Sequence, residues 1–414
     1  MSGRRKSELT LESATRELLA YCQANDWAGH DPYDALNSRL LQALPLLDAR
    51  IPRLVLTQLL KRSPVNLRPL LRIPKTRNPK ALGVFVAATV KLARLGLLEN
   101  PALVDQLTAK LVELRAQNTP YWCWGYSFPW QTRTIIVPRA EPNLVCTTFI
   151  ASALLDAYEW RGEEKYFAMA LSAAEFILEK LYWTSGDEVG FCYPLSSVRA
   201  RIHNANFLAA ALFGRIYALT GQERFLEPAL RAARYSAGKQ HPDGSWAYGE
   251  LPTQQWVDNF HTGYNLCALR WLGQALETEE FEPCIKKGFE FYRDHFFRPD
   301  GAARYFHNRT YPVDSHCVAQ SLITLIEFKD LDADNVQLAE RVFAWAMDHL
   351  WDERGYFYYR VLQVGRIKTS YMRWVQAWML LGLTTLLEHR QVGKGVQPVA
   401  HPDRPGLRTT SISR

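Results

Sequence analysis

Between about Arg77 and His389 one unit recurs: an apolar helix, a short turn, an amphipathic helix, and a loop rich in glycine and aromatic residues. Such a repeat limits the possible folds severely, because each unit can bury its apolar side only against its neighbours. The amphipathic helices open alike, with Arg161-Gly162-Glu163-Glu164 matched by Thr220-Gly221-Gln222-Glu223. Each then runs into a comparable loop, at Asp187 to Tyr193, Asp243 to Tyr248, Asp300 to Phe306 and Asp352 to Tyr358. The helices that follow these loops are apolar nearly all round, as a helix enclosed within a ring must be. They cover 143–160, 204–219, 258–276, 314–328 and 371–389, and one near 81–98 opens the series.

Six inner helices predict an all-α chain folded as a single (α/α)6 toroid. Only five outer helices follow in sequence, so an N-terminal helix, within 13–23 or 36–60, is expected to complete the outer ring. An open solenoid shares the periodicity, but TPR and HEAT arrays repeat every ~34 to 47 residues, whereas the units here are longer. On this reading, 1–76 packs on and closes the ring, 77–389 is the toroid, and 390–414, where Pro, Gly and Ser replace the periodicity, is a disordered tail.

The 414 residues carry 49 basic and 42 acidic side chains, a formal charge of +7 spread along the chain. That dilution argues against nucleic acid and suits an anionic small molecule, an acidic glycan or an anionic membrane surface. Seven cysteines, none in a CxxC pair, indicate neither a disulfide framework nor a zinc ribbon. No apolar run is long enough to span a bilayer, and MSGRRKSELTLES lacks the features of a signal peptide, so a cytoplasmic protein is expected. Walker, GxGxxG, GxSxG and HExxH patterns are absent, and neither cofactor nor metal is expected.

In such a ring the inner-helix N-termini share one end, which is the natural pocket. Aligning the units brings Asn143, His203, His261, His316 and Arg373 into register. Helix N-termini favour anionic groups, and Arg133, Asn204, Asn206 and Asn259 would add hydrogen bonds. Trp122, Trp124, Tyr126, Trp246 and Trp374 would offer flat surfaces for a sugar ring. The expected catalytic set is His203, His261, His316, Asp258, Asp314 and Arg373. Capping alone also explains Asp258, Asp314, Asn143 and Asn204, and Asp243 and Asp300 suit Asp-Gly turns.

Gln240 to Trp246 resembles the glutamine-tryptophan repeat of terpenoid cyclase and prenyltransferase toroids. The nearest counterpart of the cyclases' acidic motif, Pro312 to Cys317, lacks consecutive aspartates. The six hairpins with polar and aromatic residues before each inner helix are also similar to six-hairpin glycosidases, toroidal polysaccharide lyases and N-acylglucosamine 2-epimerases. Asp31 to Ser38 and His203 to Asn206 resemble toroidal proteins of bacterial exopolysaccharide gene clusters. The resemblance implies a carbohydrate-active protein of exopolysaccharide biosynthesis, acting on an acidic or acylated glycan, with possible peripheral association with membrane-bound machinery. A non-catalytic glycan-binding or scaffolding protein is the alternative.

The chemistry narrows the residues. A glycosidase needs two carboxylates ~5 to 9.5 Å apart, for which Asp258, Asp314, Glu141, Glu188 and Glu250 are candidates. A lyase or epimerase needs a base and a group that stabilises an enolate, which the histidines with Asn204, Asn206, Arg133 and Arg373 supply.

Overall fold

Four of the six inner helices start where the sequence provides a side-chain cap. In the computed structural model, which describes residues 9–43 and 49–393, the side chains of Asn78, Asn143, Asp258 and Asp314 accept first-turn N–H groups. A cap of this type stabilises a helix by about 1 kcal/mol. The helices so started are α4 (Pro79–Arg94), α6 (Leu144–Arg161), α10 (Asn259–Leu276) and α12 (Ser315–Glu327). Asn204 is not a cap: α8 (His203–Thr220) starts one residue earlier, after Ile202. The sixth inner helix, α14 (Trp378–Val392), is preceded by a π-helical turn at Met372–Ala377.

Gly162 and Gly221 end α6 and α8 in the left-handed conformation and turn the chain into the outer helices. Those outer helices are α5 (Leu103–Glu113), α7 (Glu164–Phe176), α9 (Glu223–Ala237), α11 (Glu282–Phe296) and α13 (Asp334–His349). Every inner helix packs on the next, α4 to α6, α8, α10, α12 and α14, and α14 packs back on α4. The ring is closed, and one continuous apolar core runs through it.

The sixth outer position is filled by α1 (Leu11–Ala24), which packs on α14. The loops show that it is a true equivalent. Gly301 lies against the Arg341 carbonyl of α13, and one unit later Gly355 lies against the Glu17 carbonyl of α1. The same loop contact is thus made across the junction of the two chain ends. The other N-terminal helices, α2 (Arg39–Gln42) and α3 (Arg50–Arg62), stand outside the ring. A small apolar cluster, Ala35, Leu60 and Ile73, holds α3 there.

Residues 182–191 form the longest hairpin, and the remaining strands are two residues long, in three pairs and one three-stranded sheet that joins 313–314, 360–361 and 366–367. Helix α14 continues to Val392, past the Arg390 at which a disordered tail is expected to begin; 394–414 lie outside the described residues. Among the described residues, no helix is long and apolar enough to cross a membrane.

Candidate active site

At the start of α10, Asp258 holds three donors. Its Oδ1 accepts the His261 backbone N–H at 2.9 Å, while Oδ2 lies 2.8 Å from His261 Nδ1 and 3.0 Å from Trp256 Nε1. A carboxylate only accepts, so Nδ1 carries a proton, and Nε2 is the nitrogen at which the neutral tautomer has its lone pair. That Nε2 has no hydrogen-bond partner among the described residues, and the side chain is 20 % exposed. Tyr248 stacks on Trp256 and lies 4.6 Å from the imidazole. A carboxylate-oriented imidazole with an open nitrogen, next to an aromatic surface, is the result.

His316, one unit on, is in a different state. Its Nδ1 is 3.0 Å from the Trp374 carbonyl and its Nε2 is 2.6 Å from the Tyr264 hydroxyl. The carbonyl can only accept, which places the proton on Nδ1. Burial, and then the Lys80 charge, push the imidazole well below its ordinary value, so it stays neutral and Nε2 accepts from Tyr264. Both nitrogens are committed. His316 therefore fixes Tyr264 and Trp374 in place.

Lys80 is enclosed by aromatic rings. Its Nζ lies 4.3 Å from the centre of Phe149, 5.3 Å from Trp378 and 5.7 Å from Tyr264, with no carboxylate partner among the described residues. Burial, followed by repulsion from Arg373, lowers its pKa to about 7. Near neutrality this side chain is therefore both an available amine and an available ammonium.

The neighbouring charges are paired. Arg373 donates Nε and Nη2 to Asp31 at 2.6 and 2.8 Å. Asp314 accepts Trp374 Nε1 at 2.9 Å and Arg360 Nη2 at 2.6 Å. Tyr126, Tyr193, Tyr248 and Tyr305 are surrounded by protein yet partly exposed. Burial holds their phenols above the usual range, so all four remain protonated donors.

The structure gathers only part of the expected set: His261, His316, Asp258, Asp314, Arg373, Trp374 and Tyr126. His203 turns away toward α9, where its Nδ1 meets Ser236 Oγ at 3.2 Å and burial lowers its pKa to about 4. Asn206 bonds the same Ser236, and Asn259 bonds Ser321 and Tyr292 between helices. Asn204 is buried in the first turn of α8.

The tryptophans divide in the same way. Trp124 and Trp246 are enclosed, with Nε1 donated to the Leu111 and Ser236 carbonyls, and they wedge loops against outer helices. Trp122 covers the outer wall, bonding Ser172 of α7 and stacking under Arg115. Asn143 caps α6, and Arg133 is exposed on a hairpin turn. Periodicity aligned these positions but could not say toward which side of a buried helix each one points.

Sequence reasoning missed Lys80, Tyr264, Tyr193, Tyr305 and Arg360. For Lys80 a signal exists: a cation at the second position of the helix, followed by ten residues, 81–90, without a charge. Of the five carboxylates suited to hydrolysis, Glu188 pairs with Arg201 and Glu250 accepts from Tyr235, and only the side chain of Glu141 has no partner among the described residues. No group of three or more His, Cys, Asp or Glu among the described residues is placed to hold a metal.

No family model and no curated protein matches the sequence. Solved structures do. A family 76 glycoside hydrolase from a bovine Bacteroides thetaiotaomicron strain superposes with a TM-score of 0.63 at 12% identity, covering 93% of this chain and 79% of that one. Cellobiose 2-epimerase from Bacillus thermoamylovorans gives 0.60 at 11%, covering 77% and 90%. A polysaccharide lyase gives 0.56 at 10%, covering 94% and 99%. The fold is the six-hairpin (α/α)6 toroid. At these identities the likeness concerns the fold, and the toroid's chemistry has to be argued from its own side chains.

Proposed function

We propose that this toroid is a carbohydrate-active enzyme that removes a carbon-bound proton from an acidic or acylated glycan, by lyase or epimerase chemistry. The observation that carries the reading is the open Nε2 of His261, whose other nitrogen is fixed by Asp258. In the proposed step Nε2 takes a proton from the carbon next to a carboxylate or carbonyl, and Asp258 stabilises the imidazolium that forms. Charge building on the substrate oxygen is met by donors from the tyrosines and by Lys80, which packs on the same Tyr264 as His261 does. A sugar ring would stack on Tyr248, as apolar C–H faces do on aromatic surfaces. Hydrolysis is less well supported, because Asp258 and Asp314 are both engaged by neighbouring donors.

The proposed setting is cytoplasmic assembly or modification of a bacterial exopolysaccharide, with peripheral association with the membrane-bound machinery. It rests on the resemblance carried by Asp31 to Ser38 and His203 to Asn206. Acidic and acylated oligosaccharides incubated in D2O test the reaction. An epimerase introduces deuterium at one ring carbon, a lyase yields an unsaturated sugar, and His261→Ala should abolish either while melting normally. Wild-type turnover by that variant would reject the reading, and tight binding without product would assign a binding protein instead.

A further inference from the structure

Helix α3 carries its apolar stripe on the wrong side for a globular protein. Thr57 and Leu60 face the body and are buried, whereas Ile51, Val55 and Leu59, at i, i+4 and i+8, are 65, 51 and 62 % exposed. In the segment that follows, Leu70 is 74 % exposed and Val65 and Leu67 are also open to solvent. Leu54, Val55, Leu59 and Leu67 line an open groove of about 620 Å³. Of the thirteen large apolar side chains exposed among the described residues, seven lie between Leu40 and Leu70. So local a concentration is a surface meant to be covered.

The charge around the stripe indicates what covers it. From Ala49 to Leu98 the chain holds eleven Lys and Arg and no Asp or Glu, although the whole chain is nearly balanced. Arg50, Arg62 and Arg72, close to stripe residues in sequence, and Lys75 are exposed. Protein interfaces concentrate their energy in Trp, Tyr and Arg, yet 49–75 contains no aromatic residue. Aliphatic side chains whose charged neighbours within 49–98 are all cations match a surface that is apolar below and uniformly negative above, which describes an anionic lipid leaflet.

We infer that α3 and the 63–72 segment form a docking face for an anionic membrane surface. Ile51, Val55 and Leu59 enter the interface, and the flanking Arg and Lys meet headgroups. Lys61, in the last turn of the same helix, donates to the Tyr33 hydroxyl at 2.5 Å and lies 5.9 Å from the Trp374 ring. Docking thus sets the rim of the candidate site beside the lipid. The inference does not depend on which reaction the site performs.

Sedimentation of the full chain with vesicles of phosphatidylcholine alone, or mixed with phosphatidylglycerol, tests it. Binding is expected on the mixed vesicles, weaker on neutral ones, and falling as salt is raised. Val55→Ser/Leu59→Ser should weaken it at least about tenfold with unchanged thermal melting, and Arg50→Gln/Arg62→Gln should weaken binding to the mixed vesicles only. Failure of the full chain to bind either vesicle, or wild-type binding by the serine variant, would overturn the inference. So would a concentration-dependent dimer that the serine variant abolishes, since the face would then belong to a second copy.

Discussion

Arg373 and Asp31 lie 342 positions apart and meet through two hydrogen bonds inside the ring. The pair joins the segment after α1 to the π-helical turn before α14, and so ties the chain's beginning to its last hairpin at the mouth. Neither side chain is appreciably exposed. Removing one partner strands a buried charge, at a cost of about 3–5 kcal/mol. Asp31→Ala should therefore lose that much stability in urea titrations, and Asp31→Leu/Arg373→Met should recover part of it. A single-variant loss below ~1 kcal/mol would show that the pair does not hold the ends together.

The three aligned histidines should separate by assay. His261→Ala should lower turnover by ~10²-fold or more while leaving melting near wild type, since its ring is partly exposed. His203→Gln should leave turnover intact and change acid stability instead. With a folded value of about 4, His203 takes up its proton in the unfolded chain first, so it destabilises the native state as pH falls from about 6.5 toward 4. The Gln variant should lose stability less steeply across that window. Equal loss of turnover in both variants would contradict the separation.

Lys80 makes a pH prediction of opposite range. Its folded pKa of about 7 lies below the ordinary 10.5, so between those values the unfolded chain binds more protons and stability rises with pH. Below about 7 the amine is charged in both states and the burial penalty is complete. Lys80→Met removes that penalty and keeps the volume. The variant should gain most over the wild type near pH ~6 and progressively less toward pH ~10, read as the difference in melting temperature. A constant difference across pH would mean that Lys80 is charged throughout.

The sequence period was enough to set the number of units, the inner and outer roles and the need for an N-terminal helix, because spacing determines which segments can pack. It could not orient side chains on helices buried all round. His203 and His261 occupy equivalent positions, yet Asp258 holds one toward the mouth and Ser236 holds the other toward the outer ring. That difference depends on residues in separate segments. The π-helical turn at Met372–Ala377 has no signature in composition either, although it sets Arg373 and Trp374. Asp31 and Asp34 were visible as a motif, but their partners Arg373 and Arg68 emerge only from the folded chain.

The loop glycines rank themselves by what a methyl group would meet. All three considered have positive φ, so alanine carries a conformational cost of about 1 kcal/mol at each. At Gly365 the space beyond is empty, and that cost stands alone. A Cβ at Gly355 would lie 3.1 Å from the Glu17 carbonyl, and one at Gly301 would lie 2.5 Å from that of Arg341. The last contact is shorter than backbone can tolerate, so the loop must move off α13, adding about 1–3 kcal/mol. Denaturant titration of the three alanine variants should order them Gly301, Gly355, Gly365 from most to least destabilised. Equal losses would mean that these loops are not held against the outer helices, and that α1 is not fixed in the ring by the same contact as α13.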